Sequence, residues 1–152
     1  MDLIIKEYTK ESIPHVLAFE QRLRAEEPGC WCWDIGPDYV AAVEKSFEDS
    51  AFNASLSLLA YDGGSVVGRI DAAMIPSHFD GSRKAYLDWI CVLKSCRHAG
   101  VAQKLLAALK GELKRRGVDT LIALTAADAS AQQFYRSIPN AVMKDIGIWI
   151  DV

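Results

Sequence analysis

The chain has no excess of basic residues. Its 17 Lys and Arg stand against 20 Asp and Glu, a formal net charge of −3, so no electrostatic footprint for nucleic acid is present. No apolar run approaches the length of a membrane-spanning helix. The opening stretch, MDLIIKEYTKES, carries Asp2 and reads as a strand. It lacks the basic start and long apolar core of a secretory signal. Histidine is scarce, with three in 152 residues. His15, His78 and His98 have no partners at metal-ligand or triad spacing, so no metal is expected. No Ser or Cys sits in a G-x-S-x-G elbow. Cys30, Cys32, Cys91 and Cys96 have no zinc spacing around them, and free thiols in a reducing cytoplasm are the expectation. The mild acidity suits a small cationic partner better than a polyanion, but decides little.

What is present is apolar. Half the residues are hydrophobic, 51%, with four Trp, which excludes disorder and supplies a full core. The length suits one domain, residues 1–152. Asp2–Tyr8 reads as a strand, followed by a helix capped by Thr9 or Ser12 with Pro14 in its first turn. Pro28-Gly29 ends that helix, a Trp-rich loop follows, and Asp38–Asp49 has helical spacing. Leu56–Tyr61, a hairpin turn at Asp62-Gly63-Gly64-Ser65, Val66–Ile75 with Gly68 as a bulge, and Lys84–Leu93 form a meander. A helix to Arg116, a strand at Asp119–Thr125, a short helix at Asp128–Ser137 and a last strand at Val142–Val152 complete the chain. The order predicts an α/β fold with a mixed sheet and helices on both faces.

The stretch Tyr86–Arg116 organises the rest. A buried strand runs into a polar turn, then Arg97-His98-Ala99-Gly100-Val101-Ala102, then a helix with Leu105, Leu106, Leu109 and Leu113 on one face. The first N–H groups of a helix have no internal partner, and the macrodipole places partial positive charge there. Gly100 and Ala102 leave that end bare for a pyrophosphate, and Arg97 adds a full charge. The spacing is neither a Walker loop nor a dinucleotide fingerprint. It resembles the acetyl-CoA signature of the GNAT superfamily of N-acetyltransferases, Q/R-x-x-G-x-G/A. A second stretch, DASAQQFY at Asp128–Tyr135, resembles that family's N-x-x-A-x-x-[apolar]-Y, with Asp128 at the Asn position, then Ala131, Phe134 and Tyr135. Asp128 departs from the pattern by a charge, and Pro139-Asn140 replaces the usual Gly-Phe. Within the family the chain looks most like short bacterial aminoglycoside 6'-N-acetyltransferases, through SLLAYDGG, YLDWICV and the single strand's length after the last helix.

The resemblance implies a GNAT-like, mixed and mostly antiparallel sheet flanked by helices, and acetyl-CoA as co-substrate. It implies that Ile90, Cys91 and Val92 pair with the pantetheine arm, with a backbone N–H near Val92 meeting the thioester carbonyl. Arg97, His98, Ala99, Gly100, Val101 and Ala102 would hold the pyrophosphate, and Asp128, Ala131 and Phe134 would lie along the cofactor. Tyr135 is the candidate general acid for the leaving thiolate, since a phenol ordinarily titrates near about 10 and stays protonated at neutral pH. For the base, carboxylates facing the cleft are wanted. Asp88, which interrupts an apolar strand, comes first and Asp71 second; a water chain is the third route. A buried carboxylate there would need a partner. The acceptor is expected over the loop holding Trp31, Trp33, Asp34 and Asp38, where aromatic faces and acids attract ammonium groups. The expected activity is acetyl transfer to a primary amine of a small cationic molecule, in a cytoplasmic protein with no nucleic-acid or membrane partner that can form a homodimer. The alternatives are a protein or peptide amine as acceptor, or a non-catalytic acyl-CoA sensor.

Overall fold

Strand β1 (Ile4–Glu7) runs antiparallel to β2 (Ser55–Asp62), β2 to β3 (Ser65–Pro76), and β3 to β4 (Arg83–Val92). Strand β5 (Thr120–Ala123) completes a five-stranded sheet in the order β1-β2-β3-β4-β5. The helices are α1 (Ile13–Glu26), α2 (Pro37–Ser46), α3 (Val101–Arg115) and α4 (Ala129–Arg136). This computed structural model describes residues 1–31, 33–125, 129–144, 147–148 and 150. It divides into two compact units, Met1–Ile122 and Ala123–Val152. The mixed α/β architecture is the expected one. Of the last expected strand, Val142–Val152, residues 142–144, 147–148 and 150 carry neither helix nor strand, and the other positions lie outside the described residues.

The local signals explain most boundaries. Pro14 occupies the first turn of α1, where its missing N–H costs nothing. Neither Thr9 nor Ser12 caps that helix through its side chain; a 3₁₀ turn at Lys10–Ser12 leads into it instead. The hairpin pairs Asp62 with Ser65, so Gly63 and Gly64 are its central residues, at φ +54° and +84°. That is the two-residue turn whose twist matches the strands. Helix α3 ends in paired bonds from Gly117 N–H to Lys114 O at 3.0 Å and from Val118 N–H to Leu113 O at 2.9 Å, the pattern of a Schellman motif. Its Leu105, Leu106, Leu109 and Leu113 are buried, as the helical period requires.

Gly68 is not itself the bulge. The register places Ala60 opposite Gly68 and Tyr61 opposite Val66, so Val67 is the extra residue. Gly68 is needed for close approach. A Cβ there would lie 2.8 Å from Val101 Cγ1, 3.1 Å from Leu105 Cδ1 and 3.3 Å from the Cys91 carbonyl oxygen. The start of α3 therefore rests directly on the β3 backbone. Gly68→Ala is expected to destabilise the protein by about 1–3 kcal/mol, the usual cost of overpacking. Urea unfolding checks this, and an unchanged midpoint would mean that α3 shifts freely.

Alternation along β3 fixes the two faces of the sheet. Gly68, Ile70 and Ala72 share the α3 face, and Ile70 and Ala72 are buried. Arg69, Asp71 and Ala73 take the other face, toward α1. Tyr8, Val16, Phe19, Leu23 and Leu59 belong to the apolar core of the first unit.

Candidate active site

The turn between β4 and α3 is built by buried anchors at both ends. Cys96 is buried, with its N–H bonded to Leu93 O at 2.9 Å, and Val101 is 1% exposed beneath the helix start. Between them His98 (φ 62°) and Gly100 (φ 80°) turn the chain through the left-handed region. Gly100 is the N-cap and offers no side chain to the helix end. The first returning bond is Lys104 N–H to Gly100 O at 3.0 Å, which leaves the N–H groups of Val101, Ala102 and Gln103 directed out of the helix. A Cβ built on Gly100 meets nothing within 4 Å. The end is bare and open, as a pyrophosphate requires, so these residues fit acetyl-CoA.

Arg97 carries its charge in a pair with Glu27. Its Nη1 and Nη2 donate to the two carboxylate oxygens of Glu27 at 3.0 and 2.5 Å. Glu26 accepts from the Ser95 N–H at 2.9 Å and the Ser95 hydroxyl at 2.8 Å. The C-terminal end of α1 thus ties the turn down with two adjacent acids. Those hydrogen bonds hold the Glu26 carboxyl below its usual range. An exposed ion pair contributes up to about 1 kcal/mol, so releasing Arg97 by Glu27→Gln is expected to tighten CoA binding by up to about fivefold. Calorimetric titration checks this; weaker binding in the variant would mean that Glu27 serves to position Arg97.

On β4, Leu93 N–H bonds to Val67 O at 3.0 Å, so it points toward β3. Successive peptide groups alternate, which turns the Val92 N–H to the β5 side. That is the orientation asked of a thioester-carbonyl donor. Ile90 and Val92 are half-buried and Cys91 is buried. Burial pushes the Cys91 thiol up to about 12, which disfavours the thiolate at neutral pH.

Asp88 is exposed, contrary to the expectation of a buried strand carboxylate. The reason lies in the register. Asp71 pairs with Trp89 and Ala72 with Leu87, so Asp88 is the extra residue of a β-bulge. The bulge also reverses the alternation. Ala85 and Leu87 face α3, whereas Trp89 is carried to the α1 face beside its partner Asp71.

There Trp89 meets the loop after α1. Ring centroids lie 6.0 Å apart for Trp31 and Trp89, 5.2 Å for Trp33 and Trp89, and 5.6 Å for Trp31 and Trp33, all edge to face. All three tryptophans are half-buried. The loop is pinned to α1: Trp31 Nε1 donates to Leu23 O at 3.1 Å, and Arg24 Nη2 donates to Trp33 O at 2.8 Å.

Two acids on this face, Asp71 and Glu20, are already paired with arginines. Asp71 Oδ1 accepts from the Ser57 hydroxyl at 2.5 Å and from Arg69 Nη2 at 2.9 Å. Arg69 Nε lies 2.7 Å from Oδ2 but off the hydrogen-bonding direction, so this second contact is ionic only. The Arg69 guanidinium lies 4.9 Å from the centre of the Tyr8 ring, whose hydroxyl burial pushes up to about 12. Glu20, 2% exposed, is paired with Arg24 at 2.8 Å, and Arg24 in turn sits 5.1 Å from the centre of the Trp33 ring. Asp34 is exposed, and its Oδ1 accepts from the Ile35 N–H at 2.7 Å; Asp38 is exposed in the first turn of α2. The structure therefore brings Trp33 and Asp71 to one face, with Asp71 engaged by Arg69. Sequence reasoning missed Trp89, Arg24 and Arg69. The one signal available for Trp89 was a large aromatic beside a charge in an apolar strand.

In the second unit, α4 carries Ala131, Phe134 and Tyr135, as the motif expects. The Phe134 and Tyr135 rings lie 5.3 Å apart, edge to face. Asp128 lies outside the described residues. Among the described residues no group of three or more His, Cys, Asp or Glu side chains can hold a metal, and no helix is long and apolar enough to cross a membrane.

No curated protein matches the chain by sequence. Solved structures share its fold. An aminoglycoside acetyltransferase, meta-AAC0020, from an uncultured soil metagenomic sample, solved in complex with sisomicin, aligns at TM-score 0.79 and 16% identity over 99% of this chain and 95% of that one. Ribosomal-protein-alanine N-acetyltransferase from Brucella melitensis biovar Abortus 2308 aligns at 0.77 and 18% over 99% of each. AAC(6')-Iy, solved with the bisubstrate analog CoA-S-monomethyl-acetylneamine, aligns at 0.76 and 20% over 100% and 99%. The profile of the Acetyltransferase (GNAT) family matches residues 2–138. With that match running through both units on the family's fold, the chain belongs to the Acetyltransferase (GNAT) family and is an N-acetyltransferase.

Proposed function

We propose that the chain, acting as one domain of residues 1–152, transfers an acetyl group from acetyl-CoA to the primary amine of a small cationic molecule by direct attack. The observation that carries this reading is the bare, glycine-capped start of α3 directly behind β4. Acetyl-CoA supplies a thioester: the C–N bond forms as the C–S bond breaks, and the sulfur leaves as a thiol. The backbone N–H groups of Val101, Ala102 and Gln103 bind the pyrophosphate, and the Val92 N–H supports the carbonyl oxygen as it gains charge. Holding both reactants on one scaffold contributes much of the acceleration. Tyr135 gives its phenolic proton to the departing sulfur, by the family pattern of DASAQQFY.

The amine must shed a proton before it attacks. Asp71 is already engaged, with Oδ1 accepting from Ser57 and Arg69 and Oδ2 2.7 Å from Arg69 Nε. Asp88, exposed at the bulge next to Trp89, is the better candidate, acting through water. Asp88→Asn is expected to depress kcat by about 10–100-fold with little change in acceptor KM. A raised KM at unchanged kcat would make Asp88 an ammonium anchor instead. The test of the whole reading is acetyl-CoA turnover over a panel of amines, followed as thiol release. Transfer to peptide N-termini alone, or CoA binding without turnover, would replace it with a peptide acetyltransferase or a sensor.

A further inference from the structure

We propose that the acceptor is a monoamine carried on an aromatic body, seated on the Trp31–Trp33–Trp89 wall, and not a polycation. This deepens the activity proposed above and rests on it. The first observation is the charge state of the face. Glu20 and Asp71 supply two negative charges, and Arg24 and Arg69 supply two positive ones, paired at 2.8 and 2.7 Å. Neither of these two acids is left uncompensated, and the carboxylates that stay open, Asp34, Asp38 and Asp88, are all solvent-exposed. An ammonium group that reached the sheet would have to displace a guanidinium from a nearly buried acid. Breaking such a pair leaves a buried charge unpaired, which is strongly unfavourable. Arg24 also covers the Trp33 ring at 5.1 Å, so that cation–π position is already filled by the protein's own charge.

The second observation is the wall itself. Three half-buried indoles meet edge to face, two on a loop fixed to α1 by hydrogen bonds and one placed on this face by the Asp88 bulge. A surface held in place before binding loses little freedom when a flat ring docks on it. Trp89 precedes Val92 by three residues on β4, roughly 10 Å of strand. A ring on the wall can therefore direct an amine on a short alkyl arm along the strand toward Val92. The single ammonium of such a ligand needs one carboxylate at most, and Asp88 stands exposed beside Trp89.

The test compares 2-phenylethylamine with spermidine on the full chain. With acetyl-CoA saturating, kcat/KM is expected to favour phenylethylamine by at least about tenfold, the scale on which apolar pockets discriminate. Trp89→Ala is expected to lower that value by about 10–100-fold, to leave spermidine within about twofold and acetyl-CoA KM unchanged, and Trp89→Phe to retain most of it. Titration of phenylethylamine alone is expected to change tryptophan fluorescence saturably. Equal or better use of spermidine, parallel losses for both amines in Trp89→Ala, or no saturable fluorescence change overturns the proposal while the acetyltransferase activity stands. Absence of thiol release with every amine overturns the activity and this proposal with it. Should Trp89→Ala fail to fold, the fluorescence titration and the wild-type preference decide the matter.

Discussion

Calorimetric titration of CoA into Gly100→Glu is expected to give no measurable binding, with the protein still folded. Two effects act together. Gly100 sits at φ +80°, where a side chain costs about 1–2 kcal/mol in backbone strain. The added carboxylate would stand at the start of α3, where the pyrophosphate is expected. Two like charges 4 Å apart at an effective dielectric of about 20 repel by about 4 kcal/mol, roughly a thousandfold in affinity. The fold tolerates the change because a Cβ there meets nothing within 4 Å. Gly100→Ala separates the two effects: it carries the strain without the charge and should lose only about tenfold. Unchanged affinity in the Glu variant would remove the phosphate site from this turn altogether. Unfolding would show that the left-handed conformation, and not the open space, controls the position.

The parts of the fold that read correctly are those fixed by nearest neighbours in the chain. The leucines of α3 repeat at the helical period, the glycine pair at Gly63 and Gly64 suits one turn type, and Pro14 suits one end of a helix. The turn at Arg97–Ala102 was legible for the same reason, since a strand, a left-handed glycine and a helix start are consecutive. The acceptor face was not, because each feature there depends on partners distant in sequence. Arg97 meets Glu27 across 70 positions, and no periodicity marks that pair. Asp88 looked buried because it lies in an apolar strand. The bulge that exposes it adds one residue without any compositional sign, and the same residue reverses the facing of Trp89. The carboxylate Asp71 was legible as a polar residue in a strand, but its role depends on Arg69, two residues along the same face. A sequence can nominate an acid; whether that acid is free is decided by which cation the fold brings to it.

Tyr135→Phe is expected to lower kcat by about 10²–10⁴-fold, the range typical of general acid catalysis, and to leave acetyl-CoA affinity nearly unchanged. The phenol and the phenyl ring have almost the same shape, so the edge-to-face contact with Phe134 at 5.3 Å can persist. What the substitution removes is the hydroxyl, and with it the proton it would donate. A thiolate leaving without one is a poorer leaving group, and the amine is then expelled more readily than the sulfur. The pH profile makes the test specific. A general acid works only while protonated, so its contribution is present below its pKa and is lost as pH rises through it. In the wild type kcat should therefore fall on the basic side as a phenol titrates, ordinarily near about 10. In the Phe variant that basic limb should vanish and kcat should run flat at the lower level. The acidic limb of kcat/KM belongs to the amine and its base, and should be the same in both proteins. A variant with full activity and the same basic limb would assign the proton to water. Reduced activity with the limb retained would make Tyr135 a positioning residue for the acetyl-CoA arm, and CoA affinity should then fall with it.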